Sequence, residues 1–336
     1  MMAFDAQSLI DFVMQPWLGK PLWMWLSFTG LVLFLLALDL GVLNRKNRVI
    51  SVRHSLILSV FYISLGLLYG AGIWFTLGAE SGMNYLTGFA VEKALAIDNI
   101  FVIAMIFSFF AVPDKYQHRV LFWGILGVII LRAIMIALGA AVISEFAWVL
   151  YVFAVFLIAT GVKMLFAGDK PTDIGKNPVL RFMKRWLRVT ETHHEERFFV
   201  RVQDPSTGKR LMYVTPLFMA LVLIEIADVV FAVDSVPAIF AITTDPFIVY
   251  TSNIFAILGL RALYFALSAM IERFHYLKYA LAIVLIVIGG KIFAADLLGI
   301  EKIPPALSLA MIVSIIGAGV VVSLIWSRPE AKKAAH

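Results

Sequence analysis

The sequence predicts an all-α polytopic membrane protein of about nine transmembrane helices, in which spans three to five recur as spans six to eight in inverted orientation. Three observations carry this. The 336 residues are 62% hydrophobic with a mean hydropathy of +0.93, well beyond the roughly 45–50% apolar content of a soluble domain. Nine stretches reach the length of roughly 20 apolar residues that a helical crossing needs. One pattern of acidic residues occurs twice.

The nine stretches are 23–43, 55–77, 86–111, 120–142, 147–167, 213–242, 247–271, 276–296 and 305–326. The third and sixth are long enough to tilt or break. Trp23, Trp25, Trp74, Trp148 and Trp326 fall near stretch ends, where amphipathic rings prefer the membrane interface. Residues 1–22 form a lead in which Phe4 to Met14 is either a short interfacial helix or irregular, with no signal-peptide pattern. Residues 168–212 are the one sizeable soluble stretch, too short for a core of their own, and 327–336 are a polar tail.

Charge placement sets the orientation. Segments 44–54, 112–119, 168–212, 272–275 with Lys278, and 327–336 hold 21 of the 28 Lys and Arg. The opposite side holds Lys20 and Lys302, and Lys93, Arg132, Lys163, Arg261 and Lys291 fall within spans. The positive-inside rule then places the N-terminus in the periplasm and the C-terminus in the cytoplasm of an inner-membrane protein. The net charge of +6 therefore reports orientation, and nucleic acid is not an expected partner. Absence of cysteine excludes disulfides and thiolate metal sites. No Gly-x-x-x-x-Gly-Lys loop is present, so ATP-driven transport is not expected. The run His193-His194-Glu195-Glu196 reads as a solvated loop before it reads as a metal site.

The third span contains Glu92-Lys93-Ala94-Leu95-Ala96-Ile97-Asp98-Asn99, and the sixth Asp228-Val229-Val230-Phe231-Ala232-Val233-Asp234-Ser235. Each has an acid, five residues, a second acid and a small polar residue. Leu131-Arg132-Ala133 is echoed by Leu260-Arg261-Ala262, and Gly161-Val162-Lys163 by Gly289-Gly290-Lys291. Three spans per copy is an odd number, so the copies run in opposite senses, as in many secondary transporters with a site near the midplane.

Buried acids are costly, on the order of 2.5–3.5 kcal/mol on insertion scales. Glu92, Asp98, Glu225, Asp228 and Asp234, with Asn99 beside them, cluster on spans three and six, whereas most intramembrane bases lie on other spans. That distribution favours a cation site, the rival being ion pairs with Arg132, Arg261 and their like; Asp39 fits either role. On a straight helix Asp228 and Asp234, six apart, are about 9 Å along and about 120° around the axis. A turn opened by Pro237 beside Asp234 is one way to bring ligands together, and two sites used in sequence is another. Oxygen donors without thiolate or buried imidazole suit Mn²⁺, Mg²⁺ or Ca²⁺.

The stretches VEKALAIDNIFV, LFWGILGVIILRA, LIEIADVVFAVDSVPAIFAIT, NIFAILGLRALYF and LALDLGVLNRK resemble the TerC family, which includes the alkali-inducible Alx proteins. The resemblance implies a manganese exporter of the inner membrane whose acidic residues correspond to Glu92, Asp98, Glu225, Asp228 and Asp234. The expected function is thus secondary export of Mn²⁺ from the cytoplasm, with proton exchange as one coupling. The chain is expected to be no enzyme, to hold no resident cofactor, and to have the divalent ion and the lipid bilayer as partners. The alternatives are a membrane scaffold aiding insertion or metallation of other proteins, or a Ca²⁺ or Mg²⁺ transporter.

Overall fold

A computed structural model describes residues 11–39, 52–166, 174–190, 195–203, 209–267, 276–300 and 303–326. Its helices are α1 (Leu22–Leu38), α2 (Val52–Leu77), α3 (Ala79–Phe109), α4 (Asp114–Glu145), α5 (Val149–Phe166), α6 (Pro178–Trp186), α7 (Pro216–Phe240), α8 (Pro246–Leu258), α9 (Leu260–Leu267), α10 (Leu277–Leu297) and α11 (Pro305–Trp326). Proline opens four of them (α6, α7, α8 and α11), where its missing N–H costs nothing. At α8 the Asp245 carboxylate accepts from the amides of Phe247 and Ile248, satisfying two otherwise orphaned donors. Of the lead, residues 11–14 are a helical turn, followed by the tiny hairpin Pro16–Trp17/Lys20–Pro21.

The protein is an all-α polytopic membrane protein. Among the described residues, seven helical segments are long and apolar enough to cross a membrane: α2, α4, α5, α7, α8 with α9, α10 and α11. Their outer faces expose Leu68, Phe75, Leu138 and Ile325, which water would not tolerate and acyl chains would. The apolar α1 is shorter, at 17 residues. The 31 residues of α3 carry Glu80, Glu92, Lys93 and Asp98, so every 18-residue window of it holds three ionisable side chains.

The expectation of a turn opened by Pro237 is corrected. Helix α7 runs unbroken through Asp234, with Pro237 inside it, so the proline removes the hydrogen bond to the Val233 carbonyl without unwinding the helix there. The break lies instead in the seventh stretch, where α8 stops and α9 starts around Gly259. Lys93 Nζ donates to the Ala256 carbonyl there, at 2.7 Å, and would lie 3.0 Å from any Cβ at Gly259. The α8–α9 segment is the most deeply buried of the seven.

Helices α5 and α10 cross at small residues, which let backbones approach closely. A Cβ at Gly161 would stand 2.6 Å from the Ala282 carbonyl, and one at Gly289 2.6 Å from the Ala154 carbonyl. Ile286 covers Gly161 and Ile158 covers Gly289. Each relation maps onto the other when residues 128 apart are exchanged between the two helices: 154 with 282, 158 with 286 and 161 with 289.

Segment 168–212 has more structure than a solvated loop. It holds α6 and the strand Phe199–Gln203, which pairs antiparallel with Arg210–Val214. Leu180 and Met183 of α6 join a cluster with Ile106 and Phe107 of α3, Val120 of α4 and Leu217 of α7, so this segment borrows the core of the bundle. Glu196 is paired with Arg119 at 3.0 Å; His193 and His194 lie outside the described residues.

Candidate cation site

Seven residues is almost two helical turns, so Glu92 and Asn99 share one face of α3, and Asp228 and Ser235 share one face of α7. Between those faces comes Arg132 of α4, of whose surface 1% is exposed. Its Nη1 meets Glu92 Oε1 at 2.7 Å and donates to Ser235 Oγ at 2.6 Å. Its Nε and Nη2 grip the two oxygens of Asp228 at 3.2 and 3.1 Å. This is bidentate recognition, the strong form of a charge-assisted hydrogen bond.

The distribution of acids and bases along the sequence pointed to acids without a base beside them. The structure corrects this for two of the five: Glu92 and Asp228 share a guanidinium. Asp39 is also paired, with Arg261.

The node is nevertheless unsaturated. Glu92 Oε2 and Asn99 Oδ1 are buried and have no hydrogen-bond partner among the described residues. Asn99 and Asp228 line a cavity of about 20 Å³ together with Gly124, Val128 and Phe231, about the room of one water or ion. One turn away, Glu225 lies over Gly124 and Gly127 of α4, with its Oε2 also buried and unpartnered. All three orphans are acceptors, so a cation or a proton donor is what would satisfy them.

Asp98 and Asp234 stand apart from the node, as six-residue spacing on straight helices requires. The charge acting on Asp98 is Lys278 at the start of α10. Asp234 accepts from Thr160 Oγ1 at 3.4 Å and lies near Lys163. At 1.5 Å per residue each is about 9 Å along its helix from Glu92 or Asp228. Since the ends of α3 and the start of α7 share a cluster, Asp98 and Glu225 lie on the α6 side of the node and Asp234 on the other. Beyond Asp234 a cavity of about 240 Å³ opens between Glu80, Asn84, Tyr151, Asp296 and Ser308. Among the described residues, no three acidic or imidazole side chains converge closely enough to hold a metal as they stand, and the Arg132 guanidinium lies between the two central acids.

Asn253 was missed by sequence reasoning. It is fully buried on α8, with neither amide atom satisfied. The signal was a polar run, Thr251-Ser252-Asn253, within an otherwise apolar stretch.

The fold and this charged node define an integral multi-pass membrane protein with ionisable groups at its centre. More particularly, the chain belongs to the integral membrane protein TerC family, whose model matches residues 77–332. It is 49% identical over 301 residues to an uncharacterized membrane protein of Rickettsia bellii, covering 90% of this chain and 97% of that one. It is 46% identical to a Myxococcus xanthus membrane protein, with 93% and 95% covered. To a putative membrane-bound redox modulator Alx of Photorhabdus laumondii it is 45% identical, with 92% and 96% covered. No solved structure matches the chain.

Proposed function

We propose that this protein is a secondary transporter that exports Mn²⁺ from the cytoplasm across the inner membrane, through the node of Glu92, Arg132 and Asp228. The observation that carries the reading is that acids from the two echoed helices share one guanidinium beside a small cavity lined by Asp228 and by Asn99, whose Oδ1 is unsatisfied among the described residues. Helices α1 and α3 also cross, giving nine spans. Spans α3–α5 and α7–α10 are inverted repeats; the reciprocal crossing of Gly161 and Gly289 supports that relation. The N-terminus is periplasmic and the C-terminus cytoplasmic.

In this reading Arg132 is a tethered cation that holds the acid pair when no ion is there. A divalent cation arriving past Asp98, Asn99 and Glu225 competes with the guanidinium for Glu92 and Asp228, then leaves by Asp234 and the wider cavity. Ion binding and protonation compete for the same oxygens, so proton exchange is the coupling the ligands allow. The oxygen donors favour Mn²⁺, Mg²⁺ or Ca²⁺ over copper or zinc, and the family resemblance selects Mn²⁺ among the three. No resident cofactor and no catalytic step is invoked. A role in redox balance, as the name of the Photorhabdus relative suggests, would act through ion content, since a chain without cysteine has no thiol to exchange.

The second reading, a scaffold for insertion or metallation of other proteins, draws on the same arginine: a guanidinium between two acids is also what a purely structural ion pair looks like. Purified protein in liposomes separates them. The transporter moves ⁵⁴Mn²⁺ by itself, with Mg²⁺ and Ca²⁺ as competitors ranking the selectivity. A protein that moves no ion without partners is the scaffold.

A further inference from the structure

Helix α6 has three faces. It starts at Asn177, whose side chain accepts from the Val179 amide, and at 100° per residue Leu180 and Met183 fall on one side, buried in the bundle. Phe182 and Trp186, one turn apart, fall on a second side, 61% and 72% exposed, with ring centroids 5.8 Å apart. Arg181, Lys184 and Arg185 fall on the third, and Arg188 follows two residues past the helix end, after the extended Leu187. From Asn177 to Thr190 these four bases are accompanied by no acid.

The level of the helix follows from its buried side. Leu180 and Met183 pack with the last turns of α3, the early turns of α4 and the first turn of α7, where apolar helices leave the membrane. At that level the neighbouring medium is the boundary between headgroups and acyl chains. Trp and Phe beside Lys and Arg are the composition of a helix lying in that boundary, and anionic headgroups attract each nearby base.

We propose that α6 is an interfacial anchor, with Phe182 and Trp186 laid into the headgroup boundary and its three bases, with the adjacent Arg188, on the phosphates of an anionic leaflet. Under the orientation proposed above this is the cytoplasmic leaflet. The inference needs only that the chain spans the membrane, and it stands whether or not the protein moves Mn²⁺. It ties segment 168–212 to the surface beside the α6 end of the site.

The absence of cysteine makes the test direct, because a single cysteine takes a single label. Full-length Phe182→Cys, and separately Trp186→Cys, carry a nitroxide in vesicles of phosphatidylglycerol and phosphatidylcholine, with Lys209→Cys on the exposed hairpin as the aqueous reference. Collision rates with oxygen and with a nickel chelate report depth. The anchor gives labels at 182 and 186 several-fold more exposed to oxygen, relative to nickel, than the label at 209. Replacing Arg181, Lys184, Arg185 and Arg188 by Gln shifts them back toward water. Nickel access at 182 and 186 equal to that at 209 overturns the proposal. So does dipolar broadening between labelled copies, which assigns the face to a second copy of the chain.

Discussion

Arg132 and Arg261 stand at echoed positions, each buried and each between a Leu and an Ala, yet they keep different company. Arg132 uses four hydrogen bonds on acids and a serine from α3 and α7. Arg261 pairs with Asp39 at the end of α1, outside the echo, and its Nη1 has no partner among the described residues. The difference teaches that the repeated sequence builds a frame but does not make the contacts symmetric. Both acids of the echoed pair are committed to one arginine, while the other is held by a neighbour outside the frame.

The largest test of that contrast removes each arginine in turn. Losing one partner of a buried ion pair costs about 3–5 kcal/mol, so Arg132→Gln and Arg261→Gln both lower protein abundance. The second substitution separates them. Adding Asp39→Asn to Arg261→Gln restores abundance and Mn²⁺ efflux together, whereas adding both Glu92→Gln and Asp228→Asn to Arg132→Gln restores abundance alone. Efflux from that last triple variant at the wild-type rate breaks the comparison.

Next in size are the acids that no arginine holds. Asp98→Asn and Asp234→Asn each remove a charge at nearly constant volume, and efflux from cells is expected to fall about tenfold or more, ~1.4 kcal/mol or more in barrier terms, at normal abundance. Glu195→Gln, in the soluble segment, serves as the silent control. A drop in abundance instead would move both acids to a structural role.

A smaller effect distinguishes neighbouring glycines on α4. A Cβ at Gly127 would run into the Glu225 carboxylate, whereas one at Gly124 would meet it at 3.7 Å, an ordinary contact. Gly127→Ala is therefore expected to slow Mn²⁺ efflux several-fold and Gly124→Ala to leave it unchanged. Equal rates would detach Glu225 from the path.

The smallest effect sharpens the frame itself. Because the α5–α10 crossing is reciprocal, Gly161→Ala and Gly289→Ala should lower thermal stability by the same amount, about 1–3 kcal/mol of overpacking each. Gly290→Ala, with open space around it, should do nothing. Unequal losses would show that the two helices do not meet as equivalents.

Much of the frame was legible because it follows from length and hydropathy. Stretch 305–326 coincides with α11, and stretch 276–296 is displaced by one residue from α10. Helical periodicity also separated Asp228 from Asp234 correctly. What spacing along one helix cannot reveal is the rotation of that helix against its neighbours, and this is what set Arg132, rather than Arg261, against Glu92. The break around Gly259 was hidden because a glycine in an apolar run also suits close packing. The structure in 168–212 was hidden because Leu180 and Met183 find their core in helices more than thirty residues away.

The claim at the centre of this account is that Glu92 and Asp228 bind a divalent cation in competition with Arg132. The most direct measurement titrates purified protein with Mn²⁺ and follows the six-line paramagnetic spectrum of the free ion. Wild-type protein should remove Mn²⁺ from solution, and Asp228→Asn and Glu92→Gln should each weaken that binding about tenfold or more, ~1.4 kcal/mol. Binding of equal strength in wild type and both variants would contradict it.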